Sequence, residues 1–60
     1  MKKYNVTFEV FHGSNHKDYK TITVEAGTKK LATIRAMSKI NQIDGYSNLY
    51  KNVFKVEEVE

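Results

Sequence analysis

The chain has sixty residues, of which 40% are hydrophobic and 28% charged, and we expect residues 1–60 to form one domain around a single core. It contains no cysteine, which excludes disulfides and zinc–thiolate sites. The net charge is +3 with the basic excess in the first half, a bias too mild for a dedicated nucleic-acid-binding surface. A core of this size rarely supplies more than about 3–5 kcal/mol, so self-association is an expected source of further stability.

No apolar run approaches the roughly 20 residues that span a membrane, and the first residues alternate instead of forming the apolar core of a signal peptide. We therefore expect a cytoplasmic protein with no membrane partner.

The first half of the chain predicts a β-hairpin. Residues 2–12 and 19–26 both alternate between polar and apolar side chains, which is typical of half-buried strands, and residues 12–18 between them are a polar turn cluster. The predicted register places Phe11 opposite Tyr19. It also pairs two sets of apolar residues on one face, namely Phe8 with Ile22 and Val6 with Val24.

Residues 28–43 predict the single helix, with Thr28 as its N-cap. At 100° per residue, one broad apolar arc contains Ala32, Ile34, Ala36, Met37, Ile40 and Ile43. The opposite, solvated stripe contains Arg35, Ser38, Lys39 and Gln42. Asp44 and Gly45 then signal a turn, and we expect Tyr46, Leu49 and Tyr50 to fold back on the helix end or the sheet edge.

Residues 53–59 predict a third strand, with Phe54 and Val56 facing the helix and Val53, Lys55 and Glu57 on the other side. The order ββαβ predicts an α+β fold whose third strand is antiparallel to the first and parallel to the second. Because crossovers are right-handed, we expect the spatial strand order 2-1-3 with the helix packed on one face.

The other sheet face would then be open, and it is our candidate interaction face. Its predicted residues are Phe11, Tyr19, Thr7, Thr21, Thr23, Lys17 and Lys55. An open face and two free sheet edges both invite contact with another chain. The plainer interpretation is that Phe11 and Tyr19 only pair with each other across the strands.

Chemistry-bearing motifs are sparse in this sequence, and we predict no catalytic residue, no cofactor and no metal. His12 and His16 lie four residues apart in a turn, where we expect solvated side chains because nothing in the sequence forces them to converge on Asp18. No serine has an implied base, and the adjacent Glu57 and Glu58 point to opposite faces of a strand.

Nucleic-acid binding is an alternative that uses the same open face. Exposed aromatic residues beside Lys17 and Lys55 can stack unpaired bases. Three carboxylates on that face, those of Glu9, Glu25 and Glu57, would repel phosphates, so this alternative is not favoured.

The order of the elements resembles that of short uncharacterised ββαβ proteins of bacterial phages and mobile elements. The resemblance rests on an alternating KKYNVTFEVF strand, a TITVEAGT strand-to-helix junction, an alanine-containing helix and a terminal NVFKVEEVE strand. It implies an accessory or regulatory role and carries over no functional residue. Because the chain has no disulfide or cysteine-based metal site to stabilise it and carries Phe11 and Tyr19 on an open face, we expect a non-enzymatic protein-interaction module. We expect it to be dimeric through a sheet edge or the open face, with an unknown protein partner. A phage-type inhibitor of a host protein is a further alternative.

Overall fold

A computed structural model describes residues 1–59. The elements follow the order β1 (Lys2–Phe11), β2 (Lys17–Ala26), α1 (Lys29–Asn41) and β3 (Tyr50–Val59). The three strands form one sheet in the order β2-β1-β3, and β1 pairs antiparallel with both neighbours. The predicted α+β class, strand order and single helix are confirmed. No helix within residues 1–59 is long and apolar enough to cross a membrane.

The core lies between α1 and one face of the sheet. Alternation along the central strand places Tyr4, Val6, Phe8 and Val10 on this face, and the last three are completely buried. From the helix, Ala32, Ala36 and Ile40 are also completely buried. The two small alanines lie one turn apart, so α1 approaches the sheet closely, and it packs mainly against β2.

The hairpin register differs from the predicted one by two residues. Val6 pairs with Ile22, Phe8 with Lys20, and Phe11 with Lys17. The predicted pairs Phe11–Tyr19, Phe8–Ile22 and Val6–Val24 are therefore wrong. A two-residue shift leaves every side chain on its predicted face, so hydrophobic alternation could not distinguish the two registers. The turn decides between them, because the His12 amide donates to the His16 carbonyl (2.9 Å) and the second strand begins at Lys17.

A β-bulge changes the facing of β3. Thr7 pairs with Lys55, but the next residue of β1, Phe8, pairs with Val53, so Phe54 is the extra residue of β3. Val53 therefore shares the helix-covered face with Phe8, whereas the Phe54 ring lies on the open face against Tyr19. The predicted facings of Val53 and Phe54 are wrong, because a bulge reverses the alternation on one side of it.

The helix begins as predicted, since the Thr28 hydroxyl accepts a hydrogen bond from the Leu31 amide (3.2 Å). Met37 and Ile43 are half-buried against the core. Ile34 is 57% exposed, which contradicts its predicted place in the core arc. The solvated stripe is exposed as predicted, at Arg35, Ser38, Lys39 and Gln42.

Residues 42–49 form a series of turns that return the chain to the sheet. Tyr46 and Leu49 are half-buried against the core, as expected, whereas Tyr50 is the first residue of β3 and is exposed. The Lys51 ammonium donates to the carbonyl oxygens of Tyr46 (2.7 Å) and Leu49 (2.8 Å). This lysine therefore joins the turns to the strand that follows them.

Candidate interaction face

The face of the sheet opposite α1 is called the open face below. From β1 it carries Phe11 and Thr7. From β2 and β3 it carries the residues that lie opposite the open-face residues of β1. All seven residues predicted for the candidate interaction face lie on it: Thr7, Phe11, Lys17, Tyr19, Thr21, Thr23 and Lys55.

Tyr19 and Phe54 meet across the central strand. Tyr19 belongs to β2 and Phe54 to β3, yet their ring centroids are 5.0 Å apart with an edge-to-face angle of 61°. Both rings keep a large exposed area, 49% for Tyr19 and 55% for Phe54. They form an aromatic bridge that stands above β1 and faces solvent.

A second aromatic pair lies beside the first. Phe11 pairs with Tyr50 in the β1–β3 ladder, and their ring centroids are 5.6 Å apart. The expected pairing of Phe11 with Tyr19 is wrong, because Tyr19 lies opposite Glu9 and each ring finds its partner on β3. The open face thus carries four aromatic rings instead of the predicted two.

Sequence reasoning missed Tyr50 and Phe54 for different reasons. Tyr50 lay in residues 41–52, whose path the pattern did not determine. Phe54 lies at the bulge, where strict alternation assigns it to the wrong face. Three apolar residues within four positions, Val53, Phe54 and Val56, were a signal that one of them leaves the core face.

Two ion pairs lie on the open face. The Lys17 Nζ atom lies 3.4 Å from Glu9 Oε2, and the Lys55 Nζ atom lies 3.5 Å from Glu57 Oε1. Lys17 also lies 5.9 Å from the centroid of the Tyr19 ring. The pKa of Lys17 is raised above its ordinary value, chiefly because its ammonium donates a hydrogen bond to Glu9, with a further contribution from Tyr19.

Hydrogen bonds between side chains connect β1 and β2 on the open face. The hydroxyls of Thr7 and Thr21 are 3.0 Å apart, and the Thr23 hydroxyl donates to the Asn5 side-chain oxygen (2.7 Å). Thr7 is buried although it lies on the open face, since it occupies the central strand near the aromatic bridge. These bonds satisfy the polar groups of β1 and leave the aromatic rings as the most prominent features of the face.

The open face is suited to binding another molecule through a broad contact surface. It offers exposed ring surfaces, satisfied hydroxyls and paired charges, which are the components of a protein interface. The prediction that the chain has no catalytic residue and no cofactor remains a prediction. A separate group of ligand-type side chains, His12, His16 and Asp18, lies together at the hairpin turn.

Comparison with known proteins adds no relative. The chain matches no family model, no curated protein and no solved structure.

Proposed function

We propose that this chain is a non-enzymatic protein-interaction module and that two copies associate through their open faces. The observation that carries the proposal is the Tyr19–Phe54 bridge, together with the neighbouring Phe11–Tyr50 pair. Isolated exposed apolar residues need no explanation, but two aromatic pairs on one sheet face are a feature of the kind that marks an interface.

The charge balance of the face favours a second copy over a nucleic acid. Lys17 and Lys55, the cations nearest the aromatic rings in the predicted site, are each neutralised by a carboxylate on the same face. A polyanion would have to compete with Glu9 and Glu57 for these lysines. A second copy brings equal numbers of both charges, so the two faces meet without net repulsion.

The sheet edges are less suited to association than the face. On β3 the bulge at Phe54 interrupts the regular ladder, and bulges and lysines are both devices that discourage edge-to-edge pairing. Near the end of β2, Arg35 of the helix donates to the Glu25 carbonyl oxygen (2.7 Å). Both outer strands therefore carry features that oppose strand addition.

The size of the face places it among the small interfaces that are typical of weak, transient association. Three strands of ten residues cover about 33 by 14 Å, or roughly 460 Å² in projection. A standard interface buries about 800 Å² per partner, so this one is at the small end. We therefore expect a dissociation constant in the micromolar range and a dimer that dissociates on dilution.

Sedimentation equilibrium across micromolar concentrations tests the proposal. We expect a monomer–dimer equilibrium that Phe54→Lys and Tyr50→Lys shift to the monomer. Ile34→Lys is the matched control, because Ile34 is as exposed as Phe54 but lies on the helix, and this variant should dimerise normally. A wild-type chain that remains monomeric at the highest concentrations contradicts the proposal.

The mode of association is tested separately by NMR on mixed labelled and unlabelled chains. Face-to-face packing predicts intermolecular contacts between the rings of Tyr19, Tyr50 and Phe54. Dimerisation that protects the β3 amides from exchange without such contacts would assign the interface to the edge instead. Titration with single-stranded oligonucleotide at low salt should leave the ring resonances unchanged; salt-sensitive shifts would favour the nucleic-acid alternative.

A further inference from the structure

The turn of the β1–β2 hairpin gathers three side chains that can bind a metal ion. His12, His16 and Asp18 each offer one ligand atom, and these atoms all lie within 4.8 Å of one another. The two imidazole rings have centroids 5.2 Å apart and are tilted by 56°. The residue pattern did not predict this convergence, which results from the way the turn folds.

The backbone holds the two histidines at the same end of the hairpin. The His12 amide donates to the His16 carbonyl oxygen at 2.9 Å and so closes the turn. Gly13 has a φ of +95°, a conformation that favours glycine and allows the chain to reverse directly after His12. Below the turn, Phe11 pairs with Lys17 and Val10 with Asp18, so the third ligand stands on the regular ladder.

The carboxylate of Asp18 is oriented by its neighbour. Its Oδ1 accepts a hydrogen bond from the Tyr19 amide at 2.9 Å, and its other oxygen remains available to a ligand. Carboxylates that bind metal ions are commonly held in place by such a hydrogen bond. The nearest cation along the chain, Lys17, is paired with Glu9 on the open face.

Two imidazoles and one carboxylate form the ligand set that suits zinc and similar first-row divalent ions. Tetrahedral zinc with bonds of about 2.0–2.2 Å needs ligand atoms about 3.3 Å apart, so the observed spacing requires only a small side-chain rotation. All three residues are exposed, which permits this rotation and leaves the remaining position to water.

We propose that His12, His16 and Asp18 bind a divalent transition-metal ion of the zinc class at the hairpin turn. The site is independent of the proposed dimer, since none of its three ligands is one of the four aromatic residues of the open face. With three exposed ligands it is expected to bind one ion per chain with micromolar affinity.

Zinc chloride titrated into the untagged chain tests the proposal, followed by calorimetry and by the ring resonances of the two histidines. We expect one ion per chain, with both histidines shifting together. His12→Ala or His16→Ala should weaken binding at least about tenfold, because loss of supporting partners alone already costs that much at metal sites. Asp18→Asn should weaken it similarly while keeping an oxygen that accepts from the Tyr19 amide.

Asp44→Asn is the matched control, because Asp44 is an exposed aspartate in the other turn region and should not affect zinc binding. Circular dichroism shows whether each variant remains folded, as expected for substitutions in an exposed turn. Unshifted histidine resonances in excess zinc overturn the proposal. Binding that survives His12→Ala, His16→Ala and Asp18→Asn unchanged overturns it equally.

Discussion

Tyr19 and Phe54 lie on the two outer strands of the sheet, and their rings meet over the central strand at a centroid distance of 5.0 Å. The contact depends on the bulge, since a regular β3 would direct Phe54 toward the helix. The bulge thus removes a large ring from the core side and adds it to the open face. One irregular residue determines both the composition of the core and the character of the candidate interaction face.

We expect Tyr19 and Phe54 to stabilise the folded monomer jointly. A double-mutant cycle with Tyr19→Ala and Phe54→Ala should give a coupling free energy of about 0.5–1 kcal/mol, the lower part of the range for aromatic pairs because both rings are half exposed. Urea unfolding at concentrations below dimerisation measures it. The control cycle combines Tyr19→Ala with Tyr50→Ala, and equal coupling in both cycles would show that the cross-strand contact contributes nothing specific.

The sequence was sufficient for the topology and for the faces of β1 and β2. Alternation at Val6 and Phe8, the helical period around Ala36 and the handedness of crossovers together require a ββαβ sheet ordered 2-1-3. The hairpin register was not accessible in this way, because a shift by two residues preserves every facing. It depends on the hydrogen bond between His12 and His16, a property of the turn.

The candidate site was only half predictable for a related reason. Alternation identified Phe11 and Tyr19 as open-face residues, but it assigned their partners incorrectly. Phe54 reaches the open face only through the bulge, and Tyr50 belongs to a strand that starts three residues earlier than predicted. A period-two pattern contains no information about where an extra residue is inserted. The pattern therefore did not assign Tyr50 and Phe54 to the open face.

Ile34 and Ile40 provide a test of how the helix is rotated on the sheet. Ile40 is completely buried, so Ile40→Ala should destabilise the fold by about 2–5 kcal/mol through lost burial and a cavity. Ile34 is 57% exposed, and Ile34→Ala should change stability by no more than about 0.5 kcal/mol. Thermal or urea unfolding compares the two. Similar losses would mean that α1 is rotated so that both isoleucines reach the core.

The N-terminus of the helix depends on one hydroxyl. Thr28 accepts from the Leu31 amide, and the first turn contains no acidic residue that could replace this interaction. Thr28→Ala should therefore cost about 1 kcal/mol in urea unfolding, whereas Thr28→Ser keeps the hydroxyl and should cost a few tenths at most. If alanine and serine behave alike, the hydroxyl does not act as a cap.

Lys51 is expected to contribute more to stability than an ordinary surface lysine. Its ammonium donates to the carbonyl oxygens of Tyr46 and Leu49, and the side chain is half-buried. Lys51→Met keeps the apolar stem and removes both hydrogen bonds, so we expect a loss of about 1–2 kcal/mol. Faster amide exchange in residues 43–49 should accompany it, because those turns would lose their connection to β3.

The matched control for Lys51 is Lys55→Met on the same strand. The Lys55 ammonium lies 3.5 Å from Glu57 in an exposed pair, and such pairs contribute little in water. We expect a change below about 0.5 kcal/mol and unaltered exchange in the turns. Equal losses for the two variants would show that the Lys51 contribution is general to lysines on this strand. A clear difference would assign it to the two carbonyl groups, because the remaining chemistry of the two substitutions is the same.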